Sequence, residues 1–193
     1  MTGKDKKRGI FPIYSKRYFN KGQNKLNYNL LNSTFMYGLA KTFYNETGMG
    51  LGFCDPQGEL RLLFSEGEQN KFCSMIMNSR PYRFYCTDIS IKISKDAAKS
   101  KKIITYMCNA GLSDVFAPVF IKGTHVGSFV TGPLRIANKQ SKKNFNKIMK
   151  ILPKKDKNLL KKHYYSIKVF SKAEYNKLIN NLSFITSYID SNE

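Results

Sequence analysis

The chain has no tryptophan, only two histidines, and 13 acidic residues against 33 lysines and arginines among its 193 residues. Each shortage excludes something. Two histidines leave little material for a histidine-rich metal site or a Ser-His-Asp triad. His125 falls in the short link "KGTH" and His163 in a lysine-rich stretch, so both read as ordinary surface residues. Paired carboxylates for acid–base work are equally scarce, because Asp114 has no second carboxylate in its own motif. A cysteine nucleophile needs a neighbouring base, and none stands beside Cys108. The chain therefore reads as a protein that is not an enzyme. No apolar run approaches the roughly 20 residues needed to span a bilayer. The basic start "MTGKDKKRGIFPIYSK" has no long apolar segment behind it, unlike a signal peptide. A cytoplasmic protein without membrane insertion is expected. CxxC pairs are missing too: the cysteines stand at 54, 73, 86 and 108, and in a reducing compartment they are expected to be thiols.

What is abundant is positive charge, a formal net +20. It is unevenly spread. Residues 1–25 carry +7 and residues 139–177 carry +11, whereas 26–138 carry only +4. Two readings stand side by side: solvated helix faces in a lysine- and asparagine-rich composition, or a phosphate-binding surface on the basic flanks. The arginine-containing motifs that usually read bases are not visible. Nucleic acid thus remains a possible partner through the flanks.

Hydrophobic content of 41% is enough for a core, and the length fits one domain with appendages. Residues 1–25, with Pro12 and Gly22, read as a basic arm. Leu31, Phe35, Leu39 and Phe43 recur every fourth residue and predict a helix stopping near Gly48. "MGLGFC" and "ELRLLF" flank the turn "DPQG", a hairpin pattern. A short helix carries Phe72, Cys73 and Ile76; a second, capped by Thr87, carries Ile89, Ile93 and Ala97. "IITYMC", "VFAPVFI" and "VGSFVTG" read as three strands, the last two joined at "KGTH". Helices fill the rest, and the last opens with Ser171 and Glu174 as a capping box before the seam Leu178, Leu182, Ile185 and Ile189. The order predicts an α+β domain, an antiparallel five-stranded sheet flanked by helices, with a helical C-terminal region.

The segments "TGMGLGFCDPQGEL", "KFCSMI", a lone "YC" before a Thr-Asp helix start, and "YMCNAGLSDVFAPVFIKGTHVGSFVTG" occur in the order seen in PocR-type sensory domains. The chain resembles that family over roughly residues 30–136, with a helical remainder. The resemblance implies a PAS-like fold that recognises small hydrocarbon derivatives such as short diols. Such domains usually precede a histidine kinase or an AraC-type DNA-binding region. Two positions depart from the family: Asn109 stands where a histidine is usual, and Gly132-Pro133 where Gly-Gln is usual. Neither output region is apparent, which fits a stand-alone sensor or an excised piece. The organisation expected is an arm at 1–25 and a sensor domain at 26–193, with its core at 30–136 and C-terminal helices at 139–190.

Three cysteines, Cys73, Cys86 and Cys108, match the family pattern. They read either as ligands of a metal such as zinc, with Cys54 as a fourth, in a metal or redox-sensing module, or as small apolar groups lining a pocket. A diol pocket needs apolar walls and a few fixed polar groups. Tyr106, Asn109, Ser113 and Asp114 supply the polar groups; Phe72, Phe120 and Phe129 supply walls, beside the three cysteines. Asn109 and Asp114 can equally be turn residues, and Gly111 a position needing positive φ or a close approach. The ligand is expected between the sheet and the helices containing Cys73 and Cys86. The helix at 171–190 would feed an output domain, a partner protein or a homodimer.

Overall fold

The computed structural model describes residues 34–58, 60–64, 70–77, 91–136, 138–151 and 154–192. The expected arm at 1–25, and Leu31, Cys86, Thr87 and Ile89, lie outside them. Helix α1 (Thr34–Thr47) ends at Gly48, whose φ of +72° no side chain opposes. Its buried stripe is Met36, Ala40, Phe43 and Thr47. Of the expected four-apart stripe, Phe43 is buried and Leu39 half-buried against the core, and at 3.6 residues per turn the burial extends to Met36, Ala40 and Thr47. Strands β1 (Leu51–Cys54) and β2 (Leu60–Phe64) form the expected hairpin. Asp55 holds its turn, accepting from Gln57 N at 2.9 Å through Oδ1 and from Gly58 N at 2.8 Å through its carbonyl. Helix α2 (Lys71–Met77) is capped by Asn70, whose Oδ1 accepts from Cys73 N at 3.1 Å. Helix α3 covers 91–100 and buries Ile93, Ser94 and Ala97.

Strands β3 (Ile104–Met107), β4 (Ser113–Ile121) and β5 (Thr124–Ile136) follow. Lys122 and Gly123 turn the β4–β5 hairpin with φ of 50° and 74°, the two positive values that match strand twist. β5 runs well past the expected "VGSFVTG". Proline normally ends a ladder, but Pro133 sits where Gly132 and Pro133 of β5 oppose Asp114 alone of β4, at a bulge that needs no donor. Beyond the bulge β5 pairs in parallel with a short strand that the residue pattern did not announce, β6 (Val169–Phe170). The spatial order is β2-β1-β5-β4-β3, an open antiparallel sheet with β6 added to one end of β5, as a PAS-like α+β fold requires.

The C-terminal region comprises α4 (Lys139–Ile151), α5 (Lys154–Ser166) and, after β6, α6 (Lys172–Asn192). Asn138 caps α4, its Oδ1 accepting from Ser141 N at 2.7 Å. At α6 the capping box forms: Glu174 N donates to Ser171 Oγ at 3.2 Å and Ser171 N to Glu174 Oε2 at 2.9 Å. Ser171→Ala is expected to lower the melting temperature by about 2–4 °C; a calorimetric scan showing no change would mean that packing alone fixes this helix start.

Alternation along the strands sorts the sheet into two faces. One face presents Leu51, Phe53, Val115, Ala117, Val119 and Phe129 to α1 and to the α6 seam Leu178, Leu182, Ile185 and Ile189, which is fully buried as expected. The other, the inner face, presents Phe116, Val130, Ile104 and Tyr106 to Ile93 and Ala97 of α3. A separate cluster joins Phe72 and Ile76 of α2 to Ala110, Leu112, Phe145, Ile148, Leu160 and Tyr164. No helix among the described residues is long and apolar enough to cross a membrane.

Candidate functional site

β3 and β4 pair without interruption, placing Tyr106 directly opposite Asp114 and Ile104 opposite Phe116. Residues two apart share a face, so Asp114 lies on the inner side with Phe116 and Tyr106, toward the layer formed by α3. Gly132 makes room for it: a Cβ there would strike Asp114 Oδ1 and crowd its Cγ. The carboxyl makes no ion pair among the described residues. Burial without a compensating cation pushes its pKa up to about 6. Further along the same face Ser94 of α3 meets Ser128 of β5 with 3.3 Å between hydroxyl oxygens, and both side chains are fully buried. Ser128 pairs with Cys54 of β1. Burial, helped by Asp55 and Asp114, pushes the Cys54 thiol up to about 12, so it stays protonated and is a poor metal ligand or nucleophile.

Other residues singled out in the sequence distribute themselves around this face. Ser113 is buried at the start of β4. Asn109 is exposed, while Ala110, Gly111 and Leu112 beside it are buried. Their turn is closed by Cys108 N donating to Leu112 O at 2.7 Å and Gly111 N to Cys108 O at 2.9 Å. Helix α4 grips it from outside: Ser141 Oγ donates to the Gly111 carbonyl, and Asn144 Nδ2 to the Cys108 carbonyl at 3.3 Å. The glycine has φ +79°, and a Cβ on it would run into the Ser141 backbone. Gly111 thus meets both demands expected of it, a positive φ and a close approach.

Phe72 is a core member of the α2–α4–α5 cluster, in edge contact with Tyr164 at 5.3 Å; Cys73 and Cys108 border the same cluster, half-buried. Phe129 faces the other side of the sheet, edge-on to Phe53 at 5.6 Å. Phe120 lies near the β4–β5 turn, with His125 at 5.5 Å and the Lys101 ammonium 5.5 Å above its ring. His125 is not the ordinary surface residue expected. It is half-buried, its Nε2 is enclosed without a hydrogen-bond partner, and burial lowers its pKa. It stands opposite Phe120 in the β4–β5 pairing, which brings the two rings together. It does stand at the far end of β4 from Cys108, as expected. Among the described residues no three His, Cys, Asp or Glu side chains converge to hold a metal, and Cys86 lies outside them.

The sequence pointed to Asp114 and Tyr106, which the strand register places opposite each other, but not to the Ser94–Ser128 pair or the close approach at Gly132. The first carries no local signal, since the partners are 34 residues apart on a helix and a strand. The second had one: a Gly-Pro step inside an apolar strand run marks a bulge where something approaches closely.

The regulatory protein PocR of Salmonella typhimurium strain LT2 is 28% identical over 109 residues, which is 56% of this chain and 35% of that protein. The chain therefore spans about a third of the length of that curated relative. No solved structure matches the chain. The family model described as the sensory domain found in PocR matches residues 29–193, a span that contains every described residue. That match covers well over half of the chain, and the sheet order is that of a PAS-like fold, so the chain belongs to the PocR sensory-domain family.

Proposed function

We propose that this sensory domain binds a short diol or similar small hydrocarbon derivative on the inner sheet face, carries out no chemistry on it, and passes its occupancy to a transcriptional or kinase output. The observation that supports the ligand class is Asp114. A half-buried carboxylate opposite Tyr106 and on the same strand face as Phe116, with no cation paired to it among the described residues, is an acceptor awaiting donors. Two neighbouring hydroxyls donate to its two oxygens, while the carbon skeleton takes the apolar surroundings. Among the described residues no nucleophile–base pair accompanies it, because the Cys54 thiol stays protonated and His125 lies at the far hairpin end.

Transmission follows from alternation. Asp114 and Phe116 face the ligand side, while Val115, Ala117 and Val119 between and beyond them lie under α6. A shift of β4 on binding is therefore felt directly by the last helix. The ligand moves that equilibrium only through its different affinity for the two arrangements.

Short diols at about 100 times their Kd are expected to raise the melting temperature by roughly 5–10 °C. No shift across a panel of alcohols, diols and aldehydes would refute the reading.

A further inference from the structure

We propose that the α4 face carrying Lys142, Lys143, Lys147 and Lys150 is a docking surface for the phosphodiester backbone of duplex nucleic acid, held without base reading. These four lysines and Asn146 line one shallow groove on the outside of the helix. All five side chains are exposed, and none of the four lysines forms an ion pair among the described residues. Helix α4 contains no acidic residue at all. Lys143 and Lys147 stand four apart and Lys147 and Lys150 three apart, so like charges face each other along the helix. That arrangement costs helix stability unless an anion neutralises it. The neighbouring helix adds to the field: Lys157 Nζ reaches the Lys150 carbonyl at 3.5 Å, and Lys161 and Lys162 are exposed.

The kind of anion follows from shape and composition. From Lys142 to Lys150 the helix rises about 12 Å, a length along which duplex DNA presents about seven phosphates. The groove is open rather than enclosing, which suits a polymer better than a single small anion. Phe145 and Ile148 of α4 are buried against Tyr164 and Leu160, Met149 is half-buried against the same cluster, and the groove itself is lined by lysine and asparagine alone, which offers no apolar face to a lipid surface. Arginine is absent from α4, as is any exposed aromatic, which removes bidentate guanine contacts and base stacking. Lysine ammoniums on flexible stems fit a backbone contact that ignores sequence. This surface lies on a different helix from the inner-face site and does not depend on what that site binds.

The test is fluorescence anisotropy of a labelled 20-base-pair duplex with the full chain. Raising salt from 50 to 200 mM is expected to weaken binding about 100-fold, for four neutralised phosphates. Exchanging Lys142, Lys143, Lys147 and Lys150 for glutamine should reduce the salt slope by about 3.6, with circular dichroism unchanged. A control variant with Lys4, Lys6, Lys7 and Lys16 exchanged for glutamine has the same net charge and should keep most of the slope. Equal loss in both variants would reduce the effect to net charge and overturn the proposal, as would no loss in either. Sedimentation with vesicles containing phosphatidylserine, with no duplex bound at 50 mM salt, would overturn it in favour of a membrane surface.

Discussion

Gly111→Ala is expected to destabilise the domain by about 2–5 kcal/mol. Two costs add. An alanine at φ +79° occupies the left-handed region that disfavours a side chain, and its Cβ would meet backbone atoms of Ser141. That collision cannot be relieved by turning a side chain, since the obstacle is the first turn of α4. Moving α4 away would break the Ser141 hydroxyl's bond to the Gly111 carbonyl and the Asn144 amide's bond to the Cys108 carbonyl. For a domain of this size the melting temperature should fall by about 5–15 °C. Gly123→Ala supplies the comparison. Gly123 has a similar φ of +74°, yet nothing lies within 4 Å of its would-be Cβ, so only the backbone cost of about 1 kcal/mol applies. Equal melting temperatures for the two variants would show that α4 does not press on the 108–112 turn.

Asp114→Asn is expected to abolish most of the ligand response and to change how stability varies with pH. In the folded chain burial pushes this carboxyl up to about 6, against about 3.9 when unfolded. Between those values the folded state holds more protons than the unfolded state. Stability contributed by the neutral carboxyl is therefore complete below about pH 4 and is lost as pH rises through 6. The loss amounts to at most about 3 kcal/mol. Glu46 and Glu174, whose pKa values are lowered by Lys177 and Lys168, act in the opposite sense. The difference between wild type and Asp114→Asn isolates the one group: it should change with pH between 4 and 6 and stay flat above. A constant difference across that range would place the carboxyl in water. For the ligand, exchanging a charged acceptor for a neutral amide should weaken diol binding by roughly 10–100-fold at pH 7.

The fold was legible wherever a local period or a turn chemistry had to be obeyed. The DPQG and KGTH turns, the Ser171–Glu174 box and the α6 seam all depend on residues a few positions apart, and each appears where expected. What the sequence hid depends on distant partners. β6 is two residues long and exists because β5 continues past its bulge to meet it. Ser141 looks like any polar residue near a helix start until Gly111 is beside it. The phase of α1 is not legible from its own residues, because Phe43 belongs to more than one apolar stripe, and only the surface it packs against brings Met36, Ala40 and Thr47 inward with it.

Parts of the candidate site follow the same division. Asp114 and Tyr106 could be grouped from the sequence because the strands that hold them are nearly consecutive. The aromatic residues could not be sorted in this way. Strand alternation turns Phe129 toward α1 and α6, whereas Phe72 belongs to the cluster under α5. Cys73 and Cys108 share an apolar neighbourhood that is explained by packing against Phe72 and Leu112.

The most direct test is a high-resolution crystal structure of the domain grown with a short vicinal diol. Electron density for the diol between β4 and α3, with both hydroxyls within hydrogen-bonding distance of the Asp114 carboxylate, is the predicted result. An inner face closed by the protein's own side chains, with Asp114 turned out to solvent, would contradict the account.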